Sequence, residues 1–154
     1  MKQIELISVG DLKFKALREM ETLYSQKINH FVSFTSKNIK DIKINDDKQK
    51  KKKEGKMIQQ LLNPNDFVFA LDQYGKKTDS RKFANLLSEK LSYGPDKLVF
   101  LIGGHAGLST ELDPAINLKL SFSDMTFAHD IFRILFLEQL YRAFTIIKGT
   151  KYHR

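Results

Sequence analysis

Residues 98–109 read LVFLIGGHAGLS, and this stretch decides the predicted fold. Five consecutive apolar residues stop at the pair Gly103 and Gly104, and Gly107 follows three residues later. An apolar run bounded by glycine is typical of a strand that is buried on both faces of a parallel sheet. Ligands bind at the carboxyl ends of such strands, and glycine lets the backbone approach them closely. The stretch therefore predicts a buried strand followed by a candidate binding loop.

The alternative for this loop is a plain turn, which a glycine pair after a strand also favours. Its spacing does not match the G-x-G-x-x-G fingerprint of dinucleotide-binding proteins, and the chain contains no G-x-x-x-x-G-K-[ST] phosphate loop. The common nucleotide-site motifs are therefore excluded.

Length and composition indicate one globular domain. The chain has 154 residues, of which 42% are hydrophobic and 29% charged. No apolar stretch approaches the roughly 20 residues that span a bilayer, so no membrane partner is expected. The chain has no cysteine, which excludes disulfides and thiolate metal sites and favours a cytoplasmic protein. Its net charge of +8 favours a polyanionic partner.

Strand-like runs and helix-like repeats alternate along the chain. Because the two kinds of segment alternate, we expect an α/β fold of about five mostly parallel strands, with helices on both faces. Residues 1–154 form one predicted domain, without an internal repeat or a linker. The predicted strands are 4–9, 30–35, 67–71, 97–102 and 118–122, and the main predicted helices contain Leu17 to Ile28, Met57 to Leu62, Phe83 to Leu91 and Ile131 to Ile147.

A basic segment interrupts this pattern at residues 37–56. It contains nine lysines against four acidic residues, a net charge of +5. A solvated helix end or mobile loop is one interpretation of such a run. An arm that contacts nucleic-acid phosphates is the other, and the residues alone leave both open.

Several segments together resemble one protein family. The segments LIGGHAGL, LSFSDMTFAH, LEQLYRAF and the final YHR are similar to the small bacterial methyltransferases of the RlmH type, within the SPOUT superfamily. Members modify the N3 atom of a pseudouridine in large-subunit (23S) ribosomal RNA. The opening MKQIELISVG and the central FALDQYGK also match, so the resemblance covers nearly the whole chain and is weakest in the basic segment.

The resemblance implies a more specific fold and assembly than the pattern does. It implies that the C-terminal portion, about residues 98–154, threads through a loop as a trefoil knot, a topology that is nearly absent from proteins. The knot would form a pocket for S-adenosyl-L-methionine. The family acts as a homodimer whose active site draws on both subunits, and its RNA target lies within the ribosome.

The site residues are carried over by position. The resemblance assigns His129, Arg142 and His153 to catalysis, and it assigns Arg133, Tyr152 and Arg154 to RNA binding. For Arg142 the alternative is an ion pair with Glu138, four residues earlier on the same helix. The expected cofactor contacts are Leu71, Gly103, Gly104, Phe122, Ser123, Asp124, Met125, Thr126 and Phe127.

Three positions depart from the family pattern. Ala128 stands where many relatives have proline, His105 stands where proline or a small residue is common, and the chain stops at Arg154 without a further acidic residue. The first two departures affect how rigid the loops are expected to be. Because of the third, no role is assigned to a terminal carboxylate.

The expected reaction is direct attack of the pseudouridine N3 on the methyl group of the cofactor. A neutral His129 or His153 would accept the N3 proton, and an arginine would stabilise the remaining charge. No metal is expected, because the four histidines lack ligand spacing. Two rival functions are a non-enzymatic RNA-binding or ribosome-binding module with the same fold, and a knotted methyltransferase that acts on transfer RNA.

Overall fold

A computed structural model describes residues 1–153, and the predicted RNA contact Arg154 lies outside them. Strands and helices alternate as the sequence predicts. The strands are β1 (Gln3–Val9), β2 (Ser33–Ile39), β3 (Phe67–Lys77), β4 (Lys97–Ile102) and β5 (Leu118–Ser121), the helices are α1 (Lys15–Asn29), α2 (Asp47–Gln59), α3 (Ser80–Tyr93) and α4 (His129–Ile147), and a 3₁₀ turn covers Thr110–Ala115.

The five strands form one sheet in the order β2-β1-β4-β3-β5. Every strand pairing is parallel, which confirms the predicted α/β class. The registers Ser8↔Ile102 and Leu71↔Ile102 align the ends of β1, β4 and the first part of β3. The loops that follow these strands therefore meet at one edge of the sheet.

Two apolar layers cover the sheet. Alternate residues of β4, such as Leu98 and Phe100, face a large cluster that includes Phe83 of α3 and Phe136 of α4. Val99 and Leu101 face the smaller cluster that Ile58 of α2 joins. Because both faces of β4 are buried, the strand is an unbroken apolar run.

The second strand and the first helix differ from the prediction. Phe31 and Val32 belong to the turn that closes α1, where both backbone N–H groups donate to the carbonyl of Ile28, so the strand starts at Ser33 and not at His30. Asp11, just before the first helix, is the cap that the sequence offers for it, but its side chain instead accepts a hydrogen bond from Asn38.

Residues 37–46 of the basic segment end β2 and connect it to α2, and residues 47–56 form most of the helix α2. Asp46 caps its first turn by accepting hydrogen bonds from the N–H groups of Lys48 and Gln49. Most lysines of α2 face outward, whereas Glu54, Gly55 and Ile58 are buried. For residues 47–56 the solvated-helix interpretation is therefore confirmed, and a contact with nucleic-acid phosphates stays a prediction.

The predicted third strand continues beyond Leu71 after a bulge. Leu71 and Lys76 both align with Leu120, so the chain between them loops out of the sheet and returns. Gly75 makes the return possible, because a Cβ atom there would lie 2.7 Å from the backbone nitrogen of Leu120. The bulge projects from the same edge of the sheet as the loop after β4.

The final helix packs against α1 and α3 and ends at Ile147, with Lys148 as its C-cap and Gly149 directly after it. Gly149 has a φ of +69°, and the Thr150 N–H donates to the carbonyl of Thr145, an arrangement that satisfies the last carbonyls of the helix. The threading of residues 98–154 as a knot stays a prediction. No helix among residues 1–153 combines the length and apolar character needed to cross a bilayer.

Candidate functional site

A cleft of about 480 Å³ opens at the carboxyl edge of the sheet. Its walls come from the loop after β4, from the loop between β5 and α4, and from the bulge in β3. Ile102 and Leu120 line its floor, and His129 and Phe132 of α4 close one end. The volume lies within the range of ordinary small-molecule sites.

Glycine is required in the first wall because the backbone folds back on itself. A Cβ atom at Gly103 would lie 2.6 Å from the carbonyl carbon of Gly107, a separation at which the loop would have to open. The Gly107 N–H donates to the carbonyl of Gly104 at 3.0 Å and closes the loop. The pair is therefore more than a plain turn: it forms a compact cradle whose backbone borders the cleft.

Residues 122–127 form the second wall, which local hydrogen bonds hold in shape. Ser121 Oγ donates to the carbonyl of Ser123 at 3.1 Å, and the Met125 N–H donates to Ser123 Oγ at 2.9 Å. Phe122 is anchored against the rings of Phe83 and Phe132. The Met125 side chain is 74% exposed, so the wall offers an unoccupied apolar surface beside the cleft.

The bulge in β3 is tied to this second wall. Gln73 Nε2 donates to the carbonyl of Asp124, and Thr126 Oγ1 donates to Gln73 Oε1, both at 3.3 Å. The carboxylate of Asp124 accepts from Lys77 Nζ at 2.9 Å. These bonds join two loops that are about 50 residues apart in sequence.

The structure gathers most of the predicted cofactor residues. Eight of the nine line the cleft; Asp124 does not, because its carboxylate turns to Lys77. Asp72, Gln73 and Tyr74 line it as well, although the sequence indicated only a turn there. These three residues reach the cleft because β3 loops out and returns to pair with Leu120, and no local sequence pattern indicates that return. Lys51 and His105 are the other polar side chains at the cleft that were not assigned to it.

Among the predicted catalytic residues, only His129 lies at the cleft. It is the first residue of α4, and its imidazole packs closely against Gly10, where an added Cβ atom would lie 3.1 Å from Nε2. The loop after β1 therefore borders this histidine, and the loop after β4 lines the same cleft.

The other two predicted catalytic residues form a separate cluster near the C-terminus, together with Tyr152 and Glu138. Arg142 donates to the Glu138 carboxylate from Nη2 at 2.5 Å and from Nε at 3.1 Å, which confirms the i,i+4 ion pair. Tyr152 also donates to Glu138, and its ring lies 4.9 Å from Arg142 Cζ. We call Glu138, Arg142, Tyr152 and His153 the tail cluster. It shows that residues 152 and 153 are ordered against α4.

The contacts of the tail cluster also indicate which atoms of His153 and Tyr152 donate hydrogen bonds. Arg142 Nη1 lies 3.1 Å from His153 Nδ1. A guanidinium can only donate, so Nδ1 of His153 accepts and the ring proton is on Nε2. Partial burial, followed by hydrogen bonds with Tyr24 and Glu138, raises the pKa of Tyr152, so its hydroxyl stays a donor.

Arg133, predicted to contact RNA, lies inside the protein. It is 6% exposed, and its Nε and Nη2 atoms both donate to Glu21 Oε1, at 2.9 and 2.6 Å. Nη1 donates to Asn38 Oδ1 at 3.1 Å. The guanidinium thus joins α4 to α1 and β2, and an RNA contact for it stays a prediction.

The cleft and the tail cluster lie toward opposite ends of α4. His129 and Arg142 are thirteen residues apart on this helix, which corresponds to about 20 Å along its axis. Within one chain the predicted catalytic residues therefore do not meet. In the part of the chain that the structure describes, no three His, Asp or Glu side chains are gathered so that they could hold a metal ion.

Comparison with known proteins agrees with this geometry. A family model described as "Predicted SPOUT methyltransferase" matches residues 1–153. A protein of Christiangramia forsetii named ribosomal RNA large subunit methyltransferase H is 38% identical over 97% of this chain and 98% of its own length. One of the same name from Malacoplasma penetrans is 40% identical over 99% of both chains.

A solved structure supports the fold independently. The chain of a probable methylase family protein from Haemophilus influenzae Rd KW20 aligns with a TM-score of 0.55 at 10% identity. The alignment covers 99% of this chain and 70% of that chain, and at this identity it concerns the fold alone. Together with the family match over residues 1–153, these similarities show that the chain belongs to the SPOUT methyltransferase family.

Proposed function

We propose that the protein is an S-adenosyl-L-methionine-dependent methyltransferase that modifies N3 of a pseudouridine in large-subunit ribosomal RNA. The observation that carries the proposal is the glycine cradle at Gly103, which borders a cleft at the carboxyl edge of a parallel sheet. The names of the relatives favour ribosomal RNA over transfer RNA as the substrate. A ribosomal substrate in turn supports a cytoplasmic location.

The residues of the cleft fit this cofactor. Gly103 and Gly104 both line the cleft and are half-buried, so their backbone groups would be available to the polar edges of an adenosyl group. Leu71, Met125 and Phe127 supply an apolar wall. The bound cofactor supplies a methyl group on a positively charged sulfur, which makes the methyl group electrophilic. The protein then has to position the RNA base and manage one proton.

The geometry supports different roles for the two histidines. His129 borders the cleft, and as a neutral imidazole it would accept the proton of the pseudouridine imide. His153 cannot accept on Nδ1 without losing Arg142, so it would present Nε2–H as a donor. Arg142 and His153 would together stabilise the negative charge that develops on the flanking carbonyl groups.

These roles require a second copy of the chain. The tail cluster is too far from His129 of its own chain, by about 20 Å along α4. Ile131, Leu135, Glu138 and Arg142 follow one another at intervals of four, three and four residues, so they lie along one stripe of the helix. Ile131 and Leu135 are 42% and 39% exposed. Antiparallel packing of two such stripes would bring the tail cluster of one subunit to the cleft of the other.

The helix α2 supports RNA as the substrate. Lys51 lines the cleft, and Lys48 and Lys53 are exposed on the same helix. Other lysines of α2 are paired within the protein, since Lys50 contacts Asp41 at 2.8 Å and Lys52 contacts Glu111 at 3.8 Å. Lys48 and Lys51 are three residues apart and share one face of the helix, so they would contact phosphates along the path of the RNA strand into the cleft.

A methylation assay with labelled cofactor tests the proposal. Purified protein would be incubated with large ribosomal subunits, with whole ribosomes and with bulk transfer RNA, and modified nucleosides would be identified by mass spectrometry. We expect 3-methylpseudouridine in ribosomal RNA only, and a large loss of rate for His129→Ala. Modification confined to transfer RNA would refute the substrate.

Calorimetry separates the enzyme from the binding module. Titration of S-adenosyl-L-methionine is expected to give saturable heat with the wild-type protein. Absence of heat at millimolar cofactor, together with retained binding to ribosomal RNA, would favour the non-enzymatic module.

A further inference from the structure

Glu54 is a buried carboxylate that the proposed reaction does not use. It is 2% exposed, although it lies on the lysine-rich helix α2. Among the described residues neither of its carboxylate oxygens has a hydrogen-bond partner. Buried carboxylates are normally paired or hydrogen-bonded, so an exception calls for an explanation.

The other fully buried glutamate of the chain shows the usual arrangement. Glu5 is 3% exposed and contacts Lys37 Nζ at 2.6 Å and Lys97 Nζ at 2.5 Å. Burial alone would raise the pKa of Glu5, but the hydrogen bonds and charges of the two lysines lower it below its ordinary value. Glu54 is buried equally well and has no such pair of contacts.

The packing of α2 holds Glu54 directly behind the glycine cradle. A Cβ atom at Gly104 would lie 3.8 Å from Oε2 of Glu54. The next residue, Gly55, packs so closely on Ser109 that an added Cβ atom would lie 2.9 Å from the Ser109 Cβ. Gly104 borders the cleft, and the Glu54 carboxylate lies next to this glycine together with the Val9 side chain, so Glu54 sits behind a residue of the cofactor site.

The charged groups around Glu54 do not neutralise it. Burial raises its pKa above the ordinary 4.5, Lys50 lowers it, and Asp41 raises it again. Lys50 is already engaged with Asp41 at 2.8 Å. Lys13 and His129 act on Asp41 in turn. His105 on the loop after β4 lines the same cleft, and Glu111 of the 3₁₀ turn pairs with Lys52.

We propose that Glu54 is a specificity-determining residue, which makes the cleft prefer the cationic methyl donor over the uncharged thioether product. The proposal rests on the function proposed above. The donor carries a positive charge on sulfur, and the product has lost it together with the methyl group. A carboxylate behind Gly104, in a region with little water, attracts that charge more strongly than a solvated carboxylate would.

The consequence is that the charge of the bound ligand and the protonation of Glu54 are linked. Binding of the donor favours the ionised form of Glu54, so a protein in which Glu54 is protonated releases that proton to solvent. Binding of the product has no such effect. The preference for the donor therefore grows as pH rises through the titration of Glu54. Release of the product after methyl transfer is favoured for the same reason.

Titration calorimetry tests this inference. The affinities of S-adenosyl-L-methionine and S-adenosyl-L-homocysteine would be measured from about pH 5 to about pH 8, for the wild type, Glu54→Gln and Glu54→Asp. We expect the donor-to-product affinity ratio of the wild type to rise with pH. In Glu54→Gln it should be flat and lower on the order of tenfold at the upper end, and Glu54→Asp should restore part of the pH dependence.

A matched control is Glu111→Gln, which also removes one carboxylate, but an exposed one. Its ratio should follow that of the wild type. Equal ratios in wild type and Glu54→Gln across the pH range would overturn the inference. If Glu54→Gln does not fold, the wild type is titrated in buffers of different ionisation enthalpy, which measures the protons released or taken up on binding. If no proton is released when the donor binds, the proposal is refuted. Failure of both ligands to bind the wild type would refute the proposed function itself.

Discussion

Removal of the Glu21 carboxylate should destabilise the protein by leaving a buried guanidinium without its partner. Arg133 donates to Glu21 from both Nε and Nη2, and the two side chains are only 7% and 19% exposed. Breaking a buried pair of this kind from one side costs about 3–5 kcal/mol. Asn38 and Ser36 retain contacts with the guanidinium, so we expect the lower end, about 3 kcal/mol. For a chain of this size that lowers Tm by roughly 6–12 °C.

Urea denaturation of Glu21→Ala, Arg133→Met and the double variant measures the effect. We expect the double variant to be more stable than Glu21→Ala, because it no longer buries an unpaired charge. Glu19→Ala is the matched control on the same helix, since its contact with Lys15 at 3.7 Å is exposed. It should change the free energy of unfolding by less than about 0.5 kcal/mol.

A cost for Glu21→Ala no larger than that of Glu19→Ala would refute this account of Arg133. The same variants separate its two roles. If Arg133→Met folds and methylates ribosomal RNA normally, the predicted RNA contact of Arg133 is wrong. If it folds and loses RNA affinity, the contact is supported in addition to the ion pair.

Three further outcomes are expected. Gly103→Ala should weaken cofactor binding more than about tenfold in calorimetry, because its Cβ atom would meet the Gly107 backbone at 2.6 Å. The control is Gly149→Ala, which is strained by a φ of +69° but is far from the cleft. It should lower the free energy of unfolding by about 1 kcal/mol and leave cofactor affinity unchanged. Glu54→Gln should gain stability relative to wild type as pH rises from about 4.5 toward 8 in denaturation series. Because the pKa of Glu54 is raised in the folded protein, its contribution to stability is fully present below the unfolded value and is lost as pH rises through the folded one, so a constant difference would contradict it. Affinity for ribosomal RNA should fall steeply with salt, and Lys51→Gln should reduce the slope of log K against log salt by about one; an unchanged slope would remove Lys51 from the phosphate contacts.

Local pattern was enough to predict much of the fold. An apolar run such as residues 98–102 is typical of a strand covered on both faces, and the alternation of such runs with helical repeats favours a parallel sheet. Glycines directly after a buried strand pointed to the loop that forms the cradle. The 3₁₀ turn at Thr110–Ala115 and the start of α3, where the sequence offered Thr78, Asp79 or Ser80 as the cap and the structure has Asp79, also depend on neighbours within a few residues.

The resemblance to a family added residues 122–127 and the residues near the C-terminus, for which the pattern alone gave no signal. Most of the former line the cleft, and the latter form the tail cluster on α4. Their proposed meeting depends on a second subunit, which no local pattern encodes.

Only the tertiary structure decided features whose partners are distant in sequence. Arg133 donates to Glu21, 112 residues away, so an arginine that the sequence suggested lay at the surface is a buried link between two helices. The bulge in β3 exists because the chain returns to Leu120, and Glu54 faces inward because Gly55 packs on Ser109. The sequence determined which segments must be buried, because burial follows from composition and period. Which charged groups share that burial is determined by contacts between elements, and those contacts form only when the sheet assembles.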